Sequence, residues 1–194
     1  MESTEEGRGD KSIIVFDAPR DIQGTALLSH TKILEADDQW LYLPALKRVK
    51  RLSSGNKSGP FVGSEFAYED LVSQEVDKYE YRFLRDEACG TMTCAVVERV
   101  PLYENSGYTK QIVWWDRAEY RVQRIEFYDR KGTLLKTLTY HGYQQYEGEY
   151  WRPDRMEMVN HQNGKSTALE FEGWEFRTGA SEGEFTASRL RRTR

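Results

Sequence analysis

Three consecutive stretches decide the fold: Tyr120-Arg121-Val122-Gln123-Arg124-Ile125-Glu126-Phe127-Tyr128, then Asp129-Arg130-Lys131-Gly132, then Leu134-Leu135-Lys136-Thr137-Leu138-Thr139-Tyr140. In the first, Ile125 and Phe127 fall on one side of an extended chain and Arg124 and Glu126 on the other, the period-two mark of a strand. The middle stretch is a turn, because Asp and Gly accept the dihedrals a reversal needs. A connection this short forces its two strands to pair antiparallel.

The same pattern extends in both directions. Strands are expected over residues 11–17, 25–34, 39–44 and 47–52, then 79–84, 93–101, 108–116, 120–128, 134–143, 150–159 and 166–176. Residues 160–164 form a further turn, and 53–60, rich in Ser and Gly, a mobile loop. Residues 64–73 read as a helix capped by Ser64, with Glu65, Glu69 and Asp70 toward its start and Phe66, Leu71 and Val72 as a partial apolar stripe. The expected class is mainly β, an antiparallel meander and not a βαβ fold. Residues 1–10 read as a flexible leader, 11–190 as one domain and 191–194 as a frayed basic tail.

The composition fits one domain with a strand-rich core. The chain has 194 residues, 38% hydrophobic and 31% charged, with 12 Tyr and 5 Trp. Its net charge of -4 gives a nucleic-acid partner no overall electrostatic support. No run approaches the roughly 18 apolar residues of a membrane span. The acidic opening Met1-Glu2-Ser3-Thr4-Glu5-Glu6 is unlike an export signal, so either the protein is cytosolic or the chain starts after a removed segment.

No catalytic motif is present in the sequence, and no cofactor is implied. The three His, at 30, 141 and 161, lie in separate elements, and no H-E-x-x-H, G-x-S-x-G or phosphate-cradling loop occurs. Cys89 and Cys94 flank Gly90-Thr91-Met92-Thr93. Two readings stay open for them: a disulfide across a hairpin, or two reduced, half-buried thiols. No second pair and no neighbouring His completes a metal site.

The most distinctive segment is Trp40-Leu41-Tyr42-Leu43-Pro44-Ala45-Leu46, followed by Lys47, Arg48, Lys50 and Arg51. The strand is apolar on both sides until Pro44 denies the ladder a donor. The basic run has a structural reading, charges that blunt an exposed edge against aggregation, and a functional one, a cationic lip for an anionic head group or acidic partner.

Trp40 to Leu46, Arg51-Leu52-Ser53, Gly63-Ser64-Glu65-Phe66-Ala67-Tyr68-Glu69-Asp70-Leu71, Tyr128 to Gly132 with Lys136-Thr137-Leu138, and Tyr150-Trp151-Arg152-Pro153 with Met158-Val159-Asn160 form a set. In these motifs the sequence resembles the LolA-like outer-membrane lipoprotein-sorting proteins. The likeness runs in order from about Asp10 to Leu190. The resemblance implies a periplasmic protein built as an incomplete, strongly curved β barrel, like LolA and LolB, with one or two short plug helices. It also implies a carrier of lipoprotein acyl chains or other lipid, or an adaptor beside an MMPL-type export pump. A lipid hydrolase in the same cavity is a third reading. The family's signal peptide, N-terminal helix and first pair of strands have no counterpart before Asp10, so the chain reads as a shortened form.

The residues themselves point to the same cavity. A half-barrel has one concave face whose apolar side chains must meet plug helices or ligand. The candidate cavity wall is Leu41, Leu43, Ile112, Trp114, Ile125, Phe127, Met156 and Met158, closed by Phe66, Tyr68 and Leu71. Met suits variable apolar ligands.

Overall fold

The computed structural model describes residues 9–33 and 35–191, so most of the expected leader and tail lies outside the described residues. The chain divides into two compact units, one made of Met1–Val62, Ala67–Lys78 and Arg177–Arg194, the other of Gly63–Phe66 and Tyr79–Phe176.

The first unit is built on a sheet in sequential order: β1 (Lys11–Val15), β2 (Ala26–His30), β3 (Asp38–Leu43) and β4 (Arg48–Arg51), all antiparallel. Ala26, Leu27, Leu28 and Ser29 in β2 are all buried, so this sheet is covered on both faces. On one face Ala26 and Leu28 pack against Leu190, with Trp40, Tyr42 and Val49 around them. Leu190 comes from a short 3₁₀ turn, Arg189–Arg191, which puts the C-terminal segment into the core. On the other face Gln39 donates to Ser29 Oγ at 3.2 Å and to the Tyr68 carbonyl at 3.1 Å. Asp37 ties the loops together: its carboxylate accepts from Lys78 and from the Lys32 amide, and its carbonyl accepts from Lys57.

The second unit is a larger antiparallel meander. Its strands are β5 (Tyr79–Cys89), β6 (Met92–Pro101), β7 (Tyr108–Asp116), β8 (Val122–Asp129), β9 (Leu134–His141), β12 (Arg155–Asn160) and β13 (Ser166–Glu170), in the order β13-β12-β9-β8-β7-β6-β5. A hairpin of β10 (Gln144–Tyr146) and β11 (Tyr150–Arg152) is inserted between β9 and β12. The order is linear, with β13 and β5 at opposite edges, so the sheet does not close on itself. At Asp129 the turn is as expected: its carboxylate accepts from the amides of Lys131 and Thr133, and Gly132 takes a φ of 75°.

Several expectations are corrected. Residues 64–73 do not form a helix; only Tyr68–Leu71 makes a 3₁₀ turn, with the Asp70 carboxylate accepting from the Ala67 amide. Ser64 does not cap it, since its hydroxyl bonds the Phe66 backbone. All helical elements among the described residues are such short turns. The expected strand at 150–159 is broken in two around Pro153, whose missing N–H cannot continue a ladder. The strand at 166–176 stops at Glu170, and Gly173 then takes a φ of 66°. Residues 9 and 10 are not loose: Gly9 is buried, and the Asp10 carbonyl accepts from the Thr31 amide at 2.8 Å.

Candidate functional site

The register of the large sheet separates two chemically different faces. Paired residues in adjacent strands point the same way, so the partners define rows across the sheet. One row runs Phe83–Val97–Val113–Ile125–Leu138–Met158 through six strands. Every member is apolar. Val113 and Met158 have no exposed surface, while Phe83 at the β5 edge is 55% exposed. Ala95 and Trp115 flank this row at one end, and Tyr140, Met156 and Leu169 at the other.

The next row on the same face is different in kind. It runs Tyr81–Arg99–Gln111–Phe127–Lys136–Asn160, and the four polar members are all buried. Arg99 Nε donates to Gln111 Oε1 at 2.6 Å, and its guanidinium lies over the Tyr79 ring, 4.7 Å from the centroid. Lys136 lies 5.3 Å from the centroids of both Tyr108 and Phe127, and donates to the Glu65 carbonyl at 2.9 Å.

That last bond fixes a strap, Gly63–Phe66, within this unit. The Glu65 amide donates to Thr167 Oγ1 at 3.1 Å, and the Glu65 carboxylate accepts from Asn160 Nδ2 at 2.7 Å and Asn163 Nδ2 at 3.3 Å. Phe66, next in the chain, is buried. Carboxylate acceptors make these bonds stronger than neutral ones. Positive φ marks the start of the strap, at Gly63 (79°) and at Val62 (41°) just before it. That conformation is costly for β-branched Val62, so the approach to the strap is strained.

The opposite face carries ion pairs. Glu98 joins Arg82 at 2.7 Å and Lys110 at 2.9 Å, and Arg124 joins Glu126 at 2.7 Å. At one corner Cys94, Val96, Ile112 and Trp114 form a small buried cluster. Arg124 covers the Trp114 ring, with its charge centre 3.8 Å from the centroid, and Trp114 Nε1 donates to Glu87. The bonds from Trp114 and Arg85 hold the Glu87 carboxyl below its usual range.

The structure therefore brings together only part of the expected cavity wall. Ile125, Phe127, Met156 and Met158 share the apolar face, and Phe66 belongs to the same unit. Ile112 and Trp114 share a face with each other, as expected, but it is the ion-pair face. Leu41, Leu43, Tyr68 and Leu71 belong to the smaller unit, where Leu41 and Leu71 are buried. Lys47, Arg48, Lys50 and Arg51 lie exposed on edge strand β4 and the residue before it. Cys89 and Cys94 are joined in a disulfide with Cα atoms 5.8 Å apart. Their pairing is diagonal, since Cys89 stands opposite Met92 and Cys94 opposite Glu87.

The sequence reading missed Arg99, Gln111, Lys136 and Asn160. A signal was there: Arg99 is in phase with Ala95 and Val97, so a cation occupies an apolar position of the alternation. A separate cleft of about 480 Å³ lies beside the small hairpin, lined by Tyr146, Asp154, Arg155, Glu170 and Phe171 among others. Its charged walls make it a poor match for an acyl chain.

Comparison with known proteins gives this geometry a context. A family model, of a family described as an uncharacterized protein, matches residues 8–192. A putative outer membrane lipoprotein-sorting protein domain from Vibrio parahaemolyticus is 57% identical, with a TM-score of 0.92 over 96% of this chain and 80% of that one. The chain belongs to the LolA-like family of outer-membrane lipoprotein-sorting proteins. A DUF1329 family protein from Desulfovibrio piger is 29% identical, with a TM-score of 0.87 over 93% of this chain and 76% of that one. A LolA superfamily protein from Nitrosomonas europaea is 25% identical, with a TM-score of 0.71 over 91% of this chain and 76% of that one. No curated protein matches. The fold is thus a LolA-like one, mainly antiparallel with open sheets, and it fits an incomplete barrel. No helix among the described residues is long and apolar enough to cross a membrane.

Proposed function

We propose that this LolA-like chain is a periplasmic, non-enzymatic carrier that takes an acyl chain of a lipoprotein or other lipid on the apolar face of its large sheet, for transfer toward the outer membrane. The observation that carries the reading is the unbroken apolar row from Phe83 to Met158, open at the β5 edge and buried from Val113 to Met158. An acyl chain needs such a surface, because each methylene removed from water contributes roughly 0.8 kcal/mol. Met156 and Met158 supply side chains that adapt to chains of different shape. Family membership supports the same reading, since a 57% identical protein is described as lipoprotein-sorting.

Displacement of a fluorescent acyl probe by fatty alcohols of increasing length tests it. Affinity rises about fourfold per methylene until the surface is filled, the equivalent of roughly 0.8 kcal/mol per step. Val97→Asp, which puts a charge in the middle of the row, weakens binding at every length. Native mass spectrometry of the exported protein gives a second readout, with lipid retained on the wild type. If no probe binds and no lipid is retained, the carrier reading fails, and an adaptor that docks an MMPL-type transporter without holding lipid replaces it.

A further inference from the structure

The apolar face is bordered by a charge that its own surroundings do not neutralise. Arg99 is 4% exposed, in phase with Ala95 and Val97, and one row from the centre of the apolar strip. Buried guanidinium groups are ordinarily matched by a carboxylate, because a lone charge out of water is costly. Among the described residues, the groups that meet the Arg99 side chain are the Gln111 amide oxygen and the Tyr79 ring, and neither carries a charge. A second cation, Lys136, lies in the same row and is also 4% exposed. Gln111, 3% exposed, separates them with Phe127. Arg99 and Lys136 thus lie in the row beside the apolar row from Phe83 to Met158.

We infer that the large sheet binds an acyl lipid with an anionic head group, the head group reading Arg99 and the chain lying along the row from Val97 to Met158. This deepens the carrier reading above and rests on it. The chemistry matches on both sides: a carboxylate or phosphate supplies the charge that Gln111 and Tyr79 cannot, and the alkyl tail meets only apolar side chains. Entry is from the β5 edge. Tyr81, directly opposite Arg99, is 39% exposed, and Phe83, at the end of the apolar row, is 55% exposed. Arg suits this role better than Lys, since its planar fork bonds two oxygens of one carboxylate or phosphate.

The test compares ligands that share a tail and differ in the head: hexadecanoate, monohexadecyl phosphate and hexadecanol, each displacing a fluorescent acyl probe from the full chain at pH 7.5. Both anions bind at least about tenfold more tightly than the alcohol, the scale expected of a charge-assisted contact. Arg99→Gln abolishes that advantage, so that both anions bind no more tightly than hexadecanol does to the same variant; Arg99→Lys keeps part of it. Should Arg99→Gln not fold, the wild-type ratio of anion to alcohol still decides. Equal binding of all three ligands overturns the head-group assignment while acyl binding stands. Failure of all three to bind overturns the carrier reading and this inference together.

Discussion

Leu190 offers a direct test of how the C-terminal segment contributes to the smaller unit. Its side chain has no exposed surface and packs with Ala26 and Leu28, ringed by Ile13, Val15, Trp40 and Phe185 among others. Leu190→Ala removes three carbons, a transfer loss of about 2.4 kcal/mol at roughly 0.8 per group. The cavity left behind adds to this, because the sheet above it cannot fully collapse, so about 3 kcal/mol is expected within the usual range of 2–5. Leu46→Ala is the control: the same change on a side chain 63% exposed alters stability by under about 0.5 kcal/mol. Urea unfolding followed by circular dichroism measures both. Hydrogen exchange at β2 amides then assigns the loss to this unit, which matters because two compact units need not unfold in one step. A Leu190→Ala cost below about 1 kcal/mol, or equal to that of Leu46→Ala, would refute the claim that this segment is part of the core.

Three further outcomes follow from the same geometry. Burial opposes ionisation of Asp116, but bonds from Arg121 Nε at 2.8 Å and the Glu119 amide at 2.7 Å outweigh it, and its carboxyl is held below the usual range. A depressed folded value means stability that is present above the unfolded value near 3.9 and lost as pH falls through the folded one; melting from pH 7 to pH 2 should show that loss, and Asp116→Asn should flatten it. Neutralising Lys47, Arg48, Lys50 and Arg51 together should change stability by under about 1 kcal/mol, because all four are exposed and the Arg51–Asp38 pair lies at the surface; a large drop in the melting midpoint would count against this. Replacing Cys89 and Cys94 with Ser should cost about 2 kcal/mol, the low end for a bridge that closes so short a loop, and thiol titration of the exported, unfolded wild type should find no free thiol.

What could be read from one chain was what lies within one strand. Ile125 with Phe127, and Met156 with Met158, were paired correctly because alternation is a local property. Ile112 and Trp114 were also correctly paired with each other, yet their face relative to the next strand depends on register. Bulges shift that register between Tyr108 and Lys110 and between Trp114 and Trp115, and a one-residue slip reverses a face. The supposed helix at 64–73 failed for a different reason. Glu65 looks like a helix-starting acid, but its amide, carbonyl and carboxylate are all taken by Thr167, Lys136 and Asn160, partners about 70 to 100 residues away. Long-range bonds of that kind leave no local trace. Leu190 was hidden similarly, as a lone apolar residue among Arg189 and Arg191, with no period to announce its burial.

The row containing Arg99 and Lys136 bears on why this face is more than an ordinary core. A sheet that only needs to be covered gains most from apolar residues at every inward position, since replacing buried charges by apolar groups is often neutral or stabilising. Here two cations hold positions in one row, with Gln111 and Phe127 between them, and both keep their heads over aromatic rings, Tyr79 for Arg99 and Tyr108 with Phe127 for Lys136. Ring faces attract cations but carry no net charge, and at Arg99 that leaves the anionic head group proposed above as the matching charge. The six-strand apolar row beside it is the length of surface an alkyl tail would use. Charge at one side and apolar surface along the other are the two halves of an amphiphile in negative image, and that complementarity ties the fold to the proposed cargo.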